Sequence, residues 1–191
     1  NASRAARVSR GGVVSSEIAM QTLPAIDAAR AWQALSGVLD PEVPVLSVLE
    51  LGIVRGVTVD AGAVRVTVTP TYCACPATEA IQDSIRAALL AAGARSVSVD
   101  LQYAPAWTTD WIAPAAAEKL RRYGIAPPHS AACGDEPDRA THTLRFHPQR
   151  LHCPRCNSTD TEQLSAFGST ACKALHRCLA CREPFEYFKP I

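Results

Sequence analysis

The chain has 191 residues, and its 19 lysines and arginines nearly balance its 18 aspartates and glutamates, giving a formal net charge of +1. Hydrophobic residues make up 48% and charged residues 19%, a composition that excludes a wholly disordered chain. The near-zero charge argues against a nucleic-acid binder. No run of roughly 18 apolar residues is present that could form a transmembrane helix.

The predicted elements begin after residues 1–21, which we interpret as a disordered N-terminal extension or tag. Residues 22–128 are predicted to form an α+β domain, because apolar side chains recur at helical spacing in three segments and alternate in three others. The order is α-β-β-α-β-α, with helices at 26–38, 77–92 and 109–123 and strands at 53–59, 64–69 and 96–103. A small three-stranded sheet with packed helices satisfies this order.

The C-terminal part contains a cysteine-rich module over residues 150–191, which follows a linker at 129–149 rich in Pro, Asp and His. Cys153 and Cys156 form one C-x2-C pair, and Cys178 and Cys181 form another after 21 intervening residues. This double spacing predicts a four-thiolate metal site in a zinc-ribbon-like module. Tetrahedral sulfur ligation favours Zn²⁺, with iron as the alternative.

The ribbon metal is predicted to be structural, because four cysteine ligands leave no open position for water or substrate. A module this small buries little core, so the metal would be its main source of stability. Cys172 is a fifth thiol in the module. We interpret it as a buried packing residue, with transient ligation as the alternative.

A second thiol-bearing segment joins the second predicted strand to the second helix. Pro76 fits the first helical position, which puts Cys75 at or near the N-cap. Backbone N–H groups and the helix dipole would favour a thiolate there, which could attack or bind a soft metal. An inert buried cysteine is an equal alternative. Cys73 is either a second ligand or a strand-end residue.

The acidic segment Asp40-Pro41-Glu42 lies before a proline-stiffened loop. Its carboxylates could approach the start of the Cys75 helix. From the residues alone, solvated acids in a turn are the preferred interpretation.

Several motifs resemble known families. Residues 40–44 (Asp-Pro-Glu-Val-Pro), 50–54 (Glu-Leu-Gly-Ile-Val), 69–72 (Thr-Pro-Thr-Tyr) and 75–79 (Cys-Pro-Ala-Thr-Glu) resemble the SufT-type family of iron–sulfur assembly and targeting factors. Residues 105–112 (Pro-Ala-Trp-Thr-Thr-Asp-Trp-Ile) and 167–175 (Phe-Gly-Ser-Thr-Ala-Cys-Lys-Ala-Leu) resemble the PaaD family, encoded with the multicomponent phenylacetyl-CoA epoxidase.

The resemblance implies a non-catalytic, cytoplasmic accessory protein of phenylacetate degradation. Cys75 matches the motif cysteine, and Asp40 and Glu42 match the acidic motif, so these residues would handle iron or a cluster transiently. The partner would be an iron–sulfur recipient, the reductase subunit of the epoxidase, with neither nucleic acid nor membrane involved. One departure is that Cys73-Ala74 stands where the family has Ser-Gly, so Cys73 inherits no role.

Two other functions remain open from the sequence. The chain could be a structural or assembly subunit of the epoxidase without a cluster role. A thiol redox enzyme using Cys73 and Cys75 is the third class, although no further base or cofactor motif accompanies it. A single thiol in each domain could also bind a cluster between two subunits, so a homodimer is a further hypothesis.

Overall fold

The computed structural model describes residues 25–72, 75–128 and 151–191. The predictions made for residues 1–21, for the linker at 129–149 and for Cys73 lie outside these ranges. Within the described ranges, no helix has the length and apolar character needed to cross a membrane.

The first part of the chain forms an α+β unit, as predicted. Its three-stranded sheet has the order β1-β2-β3, in which β1 and β2 are antiparallel and β2 and β3 are parallel. A parallel pair needs a long crossover connection, which the second helix provides. The elements are α1 (Ala28–Ser36), β1 (Val54–Asp60), β2 (Ala63–Val68), α2 (Ala77–Ala91), β3 (Ser96–Leu101), α3 (Pro114–Tyr123) and β4 (Ile125–Ala126).

The last helix is shorter than predicted, because the expected helix at 109–123 is broken. A single 3₁₀ turn covers Thr109–Trp111, and α3 begins only at Pro114. A residue before proline is pushed out of the helical region, and Ala113 is extended with φ −59° and ψ 138°. Gly124 ends α3 in the left-handed conformation, as expected of a C-terminal glycine.

The cysteine module is a ribbon of three antiparallel strands: β5 (Thr161–Ser165), β6 (Lys173–Cys178) and β7 (Pro184–Phe188). The short strand β4 from the α+β unit adds to it, giving the order β4-β7-β6-β5. The sequence did not reveal this pairing, because β4 has only two residues. The ribbon and the α+β unit therefore share one sheet.

The larger hydrophobic core contains side chains from both parts of the chain. Residues of α1, α2 and β2, such as Leu35, Ile85 and Val66, pack with Phe188 of β7 and with Cys172. Trp107 is buried, donates from Nε1 to the Leu51 carbonyl at 2.9 Å, and lies with its ring centroid 6.2 Å from that of Phe188. Phe188 thus fixes the ribbon against the α+β unit.

The loop between α1 and β1 is held close to the segment before α3. Gly52 has a φ of +68°, and a Cβ at this position would lie 2.5 Å from the Trp111 carbonyl oxygen. Both the positive φ and the close approach to Trp111 require glycine at this position. Ala113 N–H donates to the Glu50 carbonyl at 2.7 Å, so the loop that begins with the acidic motif is anchored at its far end.

Candidate functional site

A small cavity lies where the acidic loop, the start of α2 and the ribbon meet. Asp40, Glu42, Cys75, Cys172 and Phe188 are among the residues that line it. The volume of about 20 Å³ is enough for about one water-sized group. The structure therefore brings together three residues singled out in the sequence, Asp40, Glu42 and Cys75, and adds Cys172 from the ribbon.

Asp40 organises the acidic loop. Its side chain is buried, and Oδ1 accepts hydrogen bonds from the backbone N–H groups of Glu42 and Val43, both at 2.8 Å. Burial raises the pKa of Asp40 above its usual value, although the two backbone hydrogen bonds and Lys173 oppose the shift. The interpretation of Asp40 as a solvated acid is therefore wrong, because the loop folds over its carboxylate.

Two substitutions of Asp40 should distinguish the contribution of its hydrogen bonds to stability from the contribution of its charge. Asp40→Asn keeps an acceptor oxygen for both N–H groups, whereas Asp40→Ala removes it and should be less stable than the Asn variant by about 2 kcal/mol. The pKa of Asp40 is higher in the folded than in the unfolded chain, so protonation of Asp40 stabilises the fold below about pH 4. This stabilisation is lost as the pH rises through the folded-state pKa. The unfolding free energy of Asp40→Asn relative to wild type should therefore rise from pH 4 towards neutrality in urea titrations. A pH-independent difference would contradict this.

Glu42 connects the acidic loop to the ribbon. The Cys172 thiol donates a weak hydrogen bond to Oε2 of Glu42 at 3.8 Å, although the two residues are 130 positions apart in sequence. Burial and the charge of Asp40 raise the pKa of Glu42. Burial, together with the charge of Glu42, raises the pKa of Cys172, whose Sγ lies 3.1 Å from Oγ1 of Thr170.

Lys173 supplies a buried positive charge beside these acids. Its side chain is only 4% exposed, and Nζ lies 2.9 Å from Oε2 of Glu186 and 3.3 Å from the Glu42 carbonyl oxygen. The ammonium compensates the carboxylates around it, as a buried charge requires. It also fastens strand β6 to the acidic loop, so the position of Cys172 is fixed from both sides.

Cys75 lies just before α2, close to its predicted place. The structure makes Pro76 the N-cap and Ala77 the first helical residue, one position later than expected. Cys75 is partly buried, and its backbone N–H donates to the Tyr72 carbonyl at 3.2 Å. Burial raises the pKa of Tyr72 to about 12, with added contributions from the charges of Cys75, Glu42 and Cys172 and a hydrogen bond to Cys75. Tyr72 thus lies beside Cys75, next to the cavity.

Sequence reasoning missed the contribution of Cys172 to this site. It predicted a buried packing residue, and Cys172 is indeed 4% exposed within the larger core. Its neighbours Thr170 and Lys173 gave no local signal of a contact with Glu42. Only the docking of the ribbon onto the α+β unit brings these residues together.

The four ribbon cysteines form the second centre. All four Sγ atoms lie within 4.8 Å of one another, with 3.8 Å between Cys153 and Cys181 and 3.5 Å between Cys156 and Cys178. A tetrahedral ion with Zn–S bonds of about 2.3 Å would hold its sulfurs about 3.8 Å apart. The thiols are free rather than disulfide-bonded. The four residues therefore fit a tetrahedral metal ion.

Local hydrogen bonding gives the thiols of this centre different acidities. The backbone N–H of Cys181 donates to Sγ of Cys178 at 3.5 Å and lowers the pKa of that thiol to about 7. Metal ions bind the thiolate form, which this turn favours at Cys178. In Cys156 and Cys181 a backbone hydrogen bond lowers the pKa, but hydrogen bonds with neighbouring sulfurs and desolvation outweigh it and raise the pKa.

Comparison with known proteins agrees with both parts of the structure. Residues 28–101 match the family described as "Iron-sulfur cluster assembly protein", and residues 137–189 match "PaaD zinc beta ribbon domain". Over 161 residues the chain is 50% identical to a subunit of "Putative 1,2-phenylacetyl-CoA epoxidase" from Escherichia coli (strain K12), covering 84% of this chain and 91% of that protein. The chain belongs to the PaaD family.

Two further proteins are similar to part of the chain. "Fe-S protein maturation auxiliary factor" of Porphyromonas gingivalis is 40% identical over 78 residues, which cover 40% of this chain and 73% of that protein. The solved structure of the conserved hypothetical protein TM0487 from Thermotoga maritima is 30% identical and covers 50% of this chain and 94% of its own, with a TM-score of 0.44. The two family models and the E. coli relative confirm the family resemblance expected from the sequence.

Proposed function

We propose that the protein is a non-catalytic accessory factor that helps to mature an iron–sulfur protein of a phenylacetyl-CoA epoxidase system. Two similarities support this role: the E. coli relative named for that epoxidase and the iron–sulfur assembly family matched by residues 28–101. The observation that carries the proposal is the convergence of Cys75, Asp40 and Glu42 on one cavity.

The residues of the cavity suit the transient handling of iron or a cluster. Cys75 is the partly exposed thiol, so it can contact a metal that arrives from outside. Asp40 and Glu42 provide negative charge that favours a cation, and Asp40 also holds the loop in shape through two hydrogen bonds. In this role the chain binds and releases its cargo without converting a substrate.

The ribbon has a structural task in this proposal. Zn²⁺ bound by the four cysteines would stabilise strands β5 to β7 and thereby hold Phe188 and Lys173 against the α+β unit. The recipient that best fits the family resemblance is the reductase subunit of the epoxidase, in the cytoplasm. A homodimer that shares one cluster through two copies of Cys75 is compatible with this role.

The test is the cluster content of the recipient. The reductase should be purified anaerobically from cells with wild-type protein, without it, with Cys75→Ser and with Cys133→Ser, at matched expression. We expect iron and acid-labile sulfide to fall several-fold without the protein and with Cys75→Ser. Both should stay unchanged with Cys133→Ser, which alters a thiol belonging to neither proposed ligand set. Full cluster content in the absence of the protein would refute the role.

The second candidate is a structural subunit of the epoxidase, which the name of the E. coli relative favours. It predicts stable co-purification at a fixed stoichiometry and a reductase with normal cluster content when the protein is absent. The same set of strains therefore distinguishes the two functions.

A further inference from the structure

Glu50 lies in the acidic loop between α1 and β1 but is not among the residues that line the cavity. Its Oε2 accepts a hydrogen bond from the backbone N–H of Ser47 at 2.9 Å and another from the Ser47 hydroxyl at 3.1 Å. Oε1 forms an ion pair with Lys119 of α3, and the backbone carbonyl accepts from Ala113 just before that helix. Glu50 therefore connects the loop to α3 through both its side chain and its main chain.

The position of Ser47 determines where Asp40 lies. Ser47 is only 3% exposed, and it pairs with Leu39 in an isolated antiparallel bridge. Beside this bridge, the backbone N–H of Asp40 donates to the Leu46 carbonyl at 2.9 Å. Asp40 then accepts from the N–H of Glu42 through Oδ1. Direct contacts thus extend from α3 to the two acids that line the cavity.

The carboxylate of Glu50 is charged where it holds Ser47. Burial would raise the pKa of Glu50, but the hydrogen bonds from Lys119 and Ser47, together with the charge of Lys119, outweigh burial and lower the pKa. An ionised carboxylate accepts stronger hydrogen bonds than a neutral group does. The Lys119 side chain is 50% exposed, so solvent screens the ion pair. The two hydrogen bonds to Ser47 are therefore the stronger part of the connection, and Lys119 keeps the carboxylate in place.

We propose that Glu50 is a positioning residue for the cavity, because its carboxylate holds Ser47 against α3. This connection keeps Asp40 and Glu42 beside Cys75. The inference rests on the proposed function, in which these two acids act together with that thiol. Loss of the carboxylate should release the loop at Ser47 and leave the sheet and α2 in place, since the side chain makes no hydrogen bond or ion pair to either among the described residues.

The experiment compares the wild type with Glu50→Gln, using the full chain with its ribbon metal bound. Two quantities are measured: the amide proton shifts of Glu42 and Val43 by NMR, and the alkylation rate of Cys75 by mass spectrometry of its peptide. Hydrogen bonds to Asp40 move both amide signals downfield in the wild type, and in Glu50→Gln the signals should move towards the values of unbonded amides. Cys75 should be alkylated about tenfold faster, as expected from the loss of hydrogen bonds to a charged group.

Matched variants separate positioning from simple stabilisation. Lys119→Arg keeps the ion pair and should match the wild type, whereas Lys119→Met should show the same changes as Glu50→Gln to a smaller extent. Glu118→Gln breaks a different ion pair of α3, with Arg122, and should leave both quantities unchanged. Val66→Ala destabilises the buried strand β2 and should also leave them unchanged, because opening of the loop does not require unfolding of the sheet.

Wild-type shifts and alkylation in both Glu50→Gln and Lys119→Met would overturn the inference, and so would equal changes in Val66→Ala. The cluster content of the reductase should fall several-fold in cells that carry Glu50→Gln. Full content despite a displaced loop would also overturn the inference, because the position of the loop would then not matter. Failure of the measurements on the purified protein leaves the proposed function in place, whereas full cluster content in the absence of the protein rejects that function.

Discussion

Removal of the ribbon metal is expected to unfold strands β5 to β7 and to destabilise the α+β unit as well. The four thiols lie close enough to bind one ion between the strands, and small metal modules draw most of their folding free energy from the metal. Strand β7 pairs with β4 and contributes Phe188 to the larger core. Loss of this one buried phenylalanine would lower the unfolding free energy of the α+β unit by about 2–3 kcal/mol.

Hydrogen exchange measured by mass spectrometry would show this effect directly. Chelation, or Cys178→Ser, should remove protection from residues 161–188 and shift the tryptophan emission, because Trp107 loses its contact with Phe188. Cys133→Ser provides the matched control and should retain one tightly held metal ion per chain together with full protection. Strands that stay protected after complete removal of the metal would show that packing alone maintains the ribbon.

The sequence predicted the parts of the fold that depend on local patterns. Alternating valines at Val64, Val66 and Val68 indicated β2, and the spacing of Ile81, Ile85 and Leu89 indicated the buried face of α2. Both patterns reflect burial on one face of a single element. The helix predicted at 109–123 ignored the break at Pro114, because apolar residues recur at helical spacing through this segment. The residue before a proline disfavours the helical conformation, and α3 begins only at Pro114.

The predicted site residues differ in how much the sequence could reveal. The ribbon cysteines were identified from spacing alone, because each pair bends back on one ion within four residues. Local sequence predicts a solvated acid at Asp40, whereas the loop packs over its carboxylate and buries it. The burial of Cys172 was predicted correctly, but its contact with Glu42 depends on how the ribbon docks and has no local signal in the sequence.

Replacement of Phe188 by alanine should uncouple the ribbon from the cavity. Phe188 is 1% exposed, belongs to the larger core and lines the cavity with Cys75. Truncation of a buried phenylalanine costs about 3–5 kcal/mol. Phe185→Ala is the matched control, because Phe185 is also buried but packs in the smaller core of the ribbon, with its ring stacked on His176.

The two variants should differ at Cys75 even where their stabilities are similar. In Phe188→Ala the cavity opens, so the alkylation rate of Cys75, read by mass spectrometry of its peptide, should rise several-fold, and the tryptophan emission should move to longer wavelength. In Phe185→Ala both should stay at wild-type values, because Phe185 is not among the residues that line the cavity and it is Phe188 that lies against Trp107. Equal alkylation rates in the two variants would mean that the cavity keeps its shape without Phe188, and that the ribbon positions Cys172 through Lys173 alone.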